Sequence, residues 1–180
     1  MISRYATPMF LAVILFISLP KAYSKSADLK IMVDQRVELL AIVKALSDYD
    51  EKHGLLKGHD FPYRRDVAAF FSPLREHAAV KLFKRMRSDS FDYDAPPTLM
   101  LHLSNPPQLQ VEAPLTDYLI NRGGGEEQLS EFLESLRDFA RTSQFECFWN
   151  CHKGTYEEMV THVQNQIEGN DYIADIDDYY

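Results

Sequence analysis

The chain has 180 residues, 46% of them hydrophobic, with 19 lysines and arginines against 27 aspartates and glutamates, a net charge of -8. That acid excess excludes the basic surface that nucleic-acid binding requires. Two cysteines are too few for a disulfide-built scaffold, and the length fits one domain with a hydrophobic core of its own.

The amino terminus has the order of a secretory signal. Arg4 supplies positive charge, Met9 to Leu19 (MFLAVILFISL) is an apolar run closed by Pro20, and Ala22-Tyr23-Ser24 is a small-x-small cleavage site. The run is 11 residues long, short of the roughly 20 that a membrane-spanning helix needs. Residues 1–24 are therefore expected to be removed, and residues 25–180 to work in the periplasm or outside the cell without a stable membrane anchor. Lys25 stands where a lipid-anchored product would need cysteine. Cleavage takes away Arg4 and Lys21 and no acid, moving the net charge from -8 to -10.

From about Asp28 the pattern is mainly α, a set of short amphipathic helices in one domain over residues 25–180, with room for one or two short strands. Leu39, Ile42, Val43 and Leu46 fall on one helical face behind Asp34 as a cap. Val67, Phe70, Phe71 and Leu74 share helical spacing, but Pro73 should kink or end that element. Ala79, Leu82, Phe83 and Met86 repeat the template, with Lys81, Lys84, Arg85 and Arg87 read as its solvated side. Between Pro96-Pro97 and Pro106-Pro107, Leu99, Leu101 and Leu103 alternate with Met100 and His102, so a short strand competes with a short helix.

Gly123-Gly124-Gly125 reads as a flexible joint or helix entry, and Glu126 and Glu127 at its mouth weigh against an anion site there. Leu129, Phe132, Leu133, Leu136, Phe139 and Ala140 then form the clearest helical face, with Glu126 and Glu127 at the positive end of the dipole and Arg137 and Arg141 at the negative end. A last full helix is expected from Thr155, whose hydroxyl and the Glu158 carboxylate form a capping box, with Tyr156, Met159, Val160, Val163 and Ile167 as its core face. Tyr172, Ile173, Ile176, Tyr179 and Tyr180 continue at helical spacing, an apolar face that points to the front part of a longer protein. Asp175, Asp177 and Asp178 lack the glycine and glutamate of a calcium loop.

Chemistry-bearing residues are sparse. The chain contains no Gly-x-Ser-x-Gly turn, phosphate-binding Gly-x-x-x-x-Gly-Lys or His-Glu-x-x-His zinc helix. Glu158 and His162 would share a helix face, and His152 could join them on a zinc ion, but the capping role of Glu158 argues against that trio. Cys147 and Cys151 have three residues between them, one more than a redox pair usually has. On a helix their Cα atoms would lie about 6 Å apart, within disulfide range though with awkward side-chain directions. A local disulfide or two buried thiols is the expectation, ahead of metal binding and redox catalysis. Phe145, Phe148 and Trp149 around them read as a hydrophobic junction between two helices.

Val33 to Leu40 (VDQRVELL), His77-Ala78-Ala79-Val80, Phe91 to Pro96 (FDYDAP), Leu129 to Phe139 and Tyr172 to Tyr180 together resemble the bacterial exported domain-of-unknown-function family numbered four-nine-three-two. The resemblance covers nearly the whole chain after residue 24. It implies a relation to zincin-type metallopeptidases, whose His-Glu-x-x-His helix would follow the equivalent of Tyr180 and hold zinc in a full-length form. It carries no catalytic or metal-binding residue onto these 180 positions. The partner it implies is the missing carboxyl-terminal part or a protein or peptide substrate. A complete, non-enzymatic secreted helical binding module is the other reading.

Overall fold

A computed structural model describes residues 30–48 and 61–168, together with Tyr172 and Tyr179. Lys30–Glu168 forms one compact unit. In the second unit, Met1–Leu29 with Gly169–Tyr180, only the two tyrosines are described; both are helical and exposed. The expected signal peptide, the possible Asp175 to Asp178 loop and the rest of the terminal apolar face lie outside the described residues.

The described residues are mainly helical. The elements are α1 (Gln35–Leu46), α2 (Pro62–Phe71) with a 3-10 turn (Ser72–Leu74), α3 (Ala78–Asp89), α4 (Ala95–Leu101), α5 (Asp117–Arg122), α6 (Glu126–Thr142), α7 (Phe145–Cys151) and α8 (Lys153–Ile167). No helix among the described residues is long and apolar enough to cross a membrane.

Local chemistry accounts for most of the boundaries. Asp34 caps α1 by accepting the Arg36 N–H at 2.8 Å. The Arg36 guanidinium grips the same carboxylate at 2.6 Å and donates to the Leu103 carbonyl at 2.8 Å, so one arginine fixes both the start of α1 and the chain after α4. The guanidinium holds the Asp34 carboxyl below its usual range. Pro62 opens α2, and Pro73 ends it as expected, the chain tightening into the 3-10 turn. His77 caps α3 through Nδ1, which accepts the Ala79 N–H at 3.1 Å. Its Nε2 therefore carries the hydrogen and donates to Asp138 of α6 at 3.2 Å.

Over residues 98–103 the helical reading prevails over the strand. The chain is helical through Leu101, and Leu103 then pairs with Val111 in an isolated antiparallel bridge; the described residues contain no sheet. The triple glycine is a helix entry with two distinct reasons. Gly123 closes α5 where a Cβ would collide with the Leu129 side chain, and Gly124 and Gly125 adopt φ of 81° and 104°, the left-handed region that other residues avoid.

The core is built around α6, whose six predicted face residues are all buried. The predicted faces of α1 and α3 are buried as well. α1 packs on α3 and α4, and α3 packs on α6. Phe132 of α6 stacks on Phe83 at 5.9 Å and meets Phe91 edge-on at 5.8 Å, while Phe71 meets Phe139 and Phe148 at 6.1 and 4.8 Å. These aromatic pairs join α2, α3, α6 and α7 into one interior.

Three expectations fail, two in α8 and one in α3. α8 begins at Lys153 with His152 at its cap position, so Thr155 lies inside the helix and no Thr155–Glu158 capping box forms. Of its expected core face only Tyr156 is buried; Met159 and Val163 are each 41% exposed. In α3, Lys81, Lys84 and Arg85 are exposed as expected, pairing with Glu76, Asp48 and Glu131, whereas Arg87 is partly buried.

Candidate functional site

Glu38 sits one turn after Asp34 and one turn before the buried Ile42, which turns a carboxyl group toward the interior side of α1. Tyr63 of α2, positioned one residue after the Pro62 helix start, donates a short hydrogen bond to Glu38 Oε1. Its oxygen lies 2.8 Å from the Tyr156 hydroxyl of α8. Tyr63 has a single proton and gives it to the carboxylate, so Tyr156 is the donor in the second bond. The result is a chain from Tyr156 to Tyr63 to Glu38 that links three helices.

Burial dominates the protonation behaviour of this chain. It raises the Glu38 carboxyl above its ordinary range, with the Tyr63 hydrogen bond and the nearby His152 acting in the opposite direction. Burial likewise raises the Tyr63 phenol, reinforced by its bonds to Glu38 and Tyr156, and pushes Tyr156 up to about 12. Both phenols therefore keep their protons at neutral pH and remain donors.

His152, at the junction of α7 and α8, closes the cluster. Its ring stacks on Phe148 at 4.0 Å and meets the Tyr63 ring edge-on at 5.3 Å. Nδ1 lies 2.8 Å from the Phe148 carbonyl and Nε2 3.4 Å from Asp66 Oδ2. Both nitrogens face oxygen acceptors.

The structure leaves Cys147 and Cys151 unjoined on α7. Both thiols are exposed, which corrects the expectation that unjoined thiols would be buried. Phe145, Phe148 and Trp149 are buried between α7 and its neighbours, as the hydrophobic-junction reading requires. His152, Glu158 and His162 do not converge. His162 faces Gln166 at 3.1 Å while His152 faces Asp66, and no group of three His, Cys, Asp or Glu side chains that could hold a metal occurs among the described residues.

Sequence reading passed over Glu38 and Tyr63. The available signal was a carboxylate at helical spacing from buried Ile42, a polar group on an apolar face. What it required was a partner 25 residues away, which only packing supplies.

Beside the cluster, Trp149 stacks on Tyr156 at 4.3 Å. These two rings, with Met32, Val33 and Val160, line an open groove of about 400 Å3. Along α8 the groove is lined by Lys153, Glu157, Val160 and Thr161 as well as Tyr156, while Met159 and Val163 of the same helix are exposed. Chemically, the region offers an ordered, proton-rich anchor beneath a largely apolar surface.

Comparison with known proteins gives one finding. A family described as a domain of unknown function, DUF4932, matches residues 29–180. No curated protein and no solved structure matches the chain at a significant level.

Proposed function

Starting from the fact that this chain belongs to the DUF4932 family, we propose that it is an exported helical platform, the non-catalytic amino-terminal part of a zincin-like metallopeptidase. The observation that carries the platform reading is α8, a helix anchored by Tyr156 whose Met159 and Val163 remain 41% exposed. Apolar surface left in water at helical spacing is surface available to a partner. The Tyr156–Tyr63–Glu38 chain holds that surface rigidly against α1 and α2. The zincin relation and export rest on the sequence: the family resemblance for the first, and the order Arg4, Met9 to Leu19, Ala22 to Ser24 for the second.

Reading the coding DNA beyond the Tyr180 codon tests the proposal. An in-frame His-Glu-x-x-His is expected, with one zinc ion in the longest native product and a mature amino terminus at Lys25. A stop codon at that point together with a folded, metal-free product overturns it. That outcome leaves the groove beside α8 as the ligand site of a free-standing secreted binding module.

A further inference from the structure

Cys147 and Cys151 take no part in the hydrogen-bonded cluster or in the exposed face of α8. They stand four residues apart in α7, a spacing that sets one side chain above the other on the same side of a helix. Both are exposed, and both line one open groove of about 440 Å3, with Phe70 and Phe148 as apolar walls and Asp66 and His152 as its polar residues.

Three kinds of chemistry compete for such a thiol pair. A disulfide needs Cβ atoms roughly 3.5–4.5 Å apart, whereas helical neighbours four residues apart have theirs about 5–6 Å apart. Closure therefore requires α7 to distort, and the burial of Phe145, Phe148 and Trp149 in the same two turns resists that. Zinc and iron–sulfur centres ordinarily take four protein ligands or a closed set of donors, and no cluster of three donors is present among the described residues. A two-coordinate ion needs only the two sulfurs. With each metal–thiolate bond at roughly 2.3 Å, a linear S–metal–S unit spans about 4.6 Å, which suits side chains one helical turn apart. Soft thiolates in so small a ligand set select monovalent copper.

We propose that Cys147 and Cys151 form a two-coordinate copper(I) site on the exposed side of α7. Binding replaces two S–H bonds with two Cu–S bonds and releases two protons. No oxidation state changes, so the copper arrives already reduced. The bis-thiolate complex carries one negative charge, and its neighbours in the groove are the His152 ring and the walls of Phe70 and Phe148.

The test is an anaerobic titration of the full, reduced chain with copper(I) against bicinchoninate, whose coloured copper complex reports what the protein withholds. One copper ion per chain is expected. Cys147→Ser and Cys151→Ser should each weaken binding roughly 100- to 10,000-fold, the gain that a second tethered donor confers over one. Both positions are exposed, so circular dichroism of the variants should match that of the parent. Equal retention of copper by the double serine variant overturns the site, as does parental affinity in either single variant. Displacement of copper(I) by an equal concentration of zinc(II) also overturns it, because that preference belongs to a centre with more ligands.

Discussion

Glu38 is a carboxyl group made uncomfortable by its surroundings, and two substitutions separate the causes. Burial raises its pKa above the ordinary value of 4.5, so the folded state holds the proton more tightly than the unfolded chain. Stability associated with this group is fully present below pH 4.5 and is lost as the pH rises through the raised value. Glu38→Gln keeps an oxygen for the Tyr63 hydroxyl and cannot ionise. Its melting temperature should therefore gain on that of the parent as the pH rises from 4 toward neutrality, about a point set by the raised carboxyl; a constant difference between the two across that range refutes the assignment. Tyr63→Phe removes the donor and strands the carboxylate, with an expected cost of about 1–3 kcal/mol at pH 7 by denaturant unfolding. Neither residue announces itself in the sequence. A glutamate in a helix is usually a solvated one, and Glu38 differs only because α2 and α8 close over it.

At the scale of elements, legibility followed burial on a single face. The α6 pattern was readable because six apolar residues at helical spacing, acids at the start and arginines at the end all favour the same state. The entry to α6 was readable only in part. Three glycines marked a joint, but that Gly123 is needed for close approach to Leu129 emerged from packing. Gly123→Ala should cost about 1–3 kcal/mol, because the added methyl must displace the Leu129 side chain in a filled core; denaturant unfolding measures it. α8 shows the opposite case. Its periodicity correctly announced a helix and wrongly placed its apolar face in the core, since periodicity reports which residues share a face and not whether another element covers it. Met159→Ser and Val163→Ser should each change the stability of the chain by less than about 0.5 kcal/mol. Under the proposed metallopeptidase reading, the same substitutions should weaken association with a carboxyl-terminal catalytic part, read by co-purification.

For the compact unit Lys30–Glu168, burial sets a gradient of local stability. α6 buries its whole apolar face, whereas α8 buries Tyr156 near its start and leaves the second half of the helix largely in water. Amide hydrogen exchange should be slowest in Leu129 to Ala140 and fastest, among the long helices, in Val160 to Ile167. Equal protection of the two segments refutes this ordering.

What the sequence by itself determined is the mainly helical class, the faces of α1, α3 and α6, the end of α2 at Pro73 and the cap at Asp34. These follow from interactions within about one turn of chain or from periodicity along it, both written in local order. Only the tertiary structure decided that Glu38, Tyr63 and Tyr156 form one hydrogen-bonded chain, that His152 rather than Thr155 stands at the start of α8, and that the face of α8 stays half-exposed. Each of these depends on which side chains distant in sequence are brought within a few ångströms, and on whether buried polar groups find partners there. The local pattern of charge and hydrophobicity does not encode that.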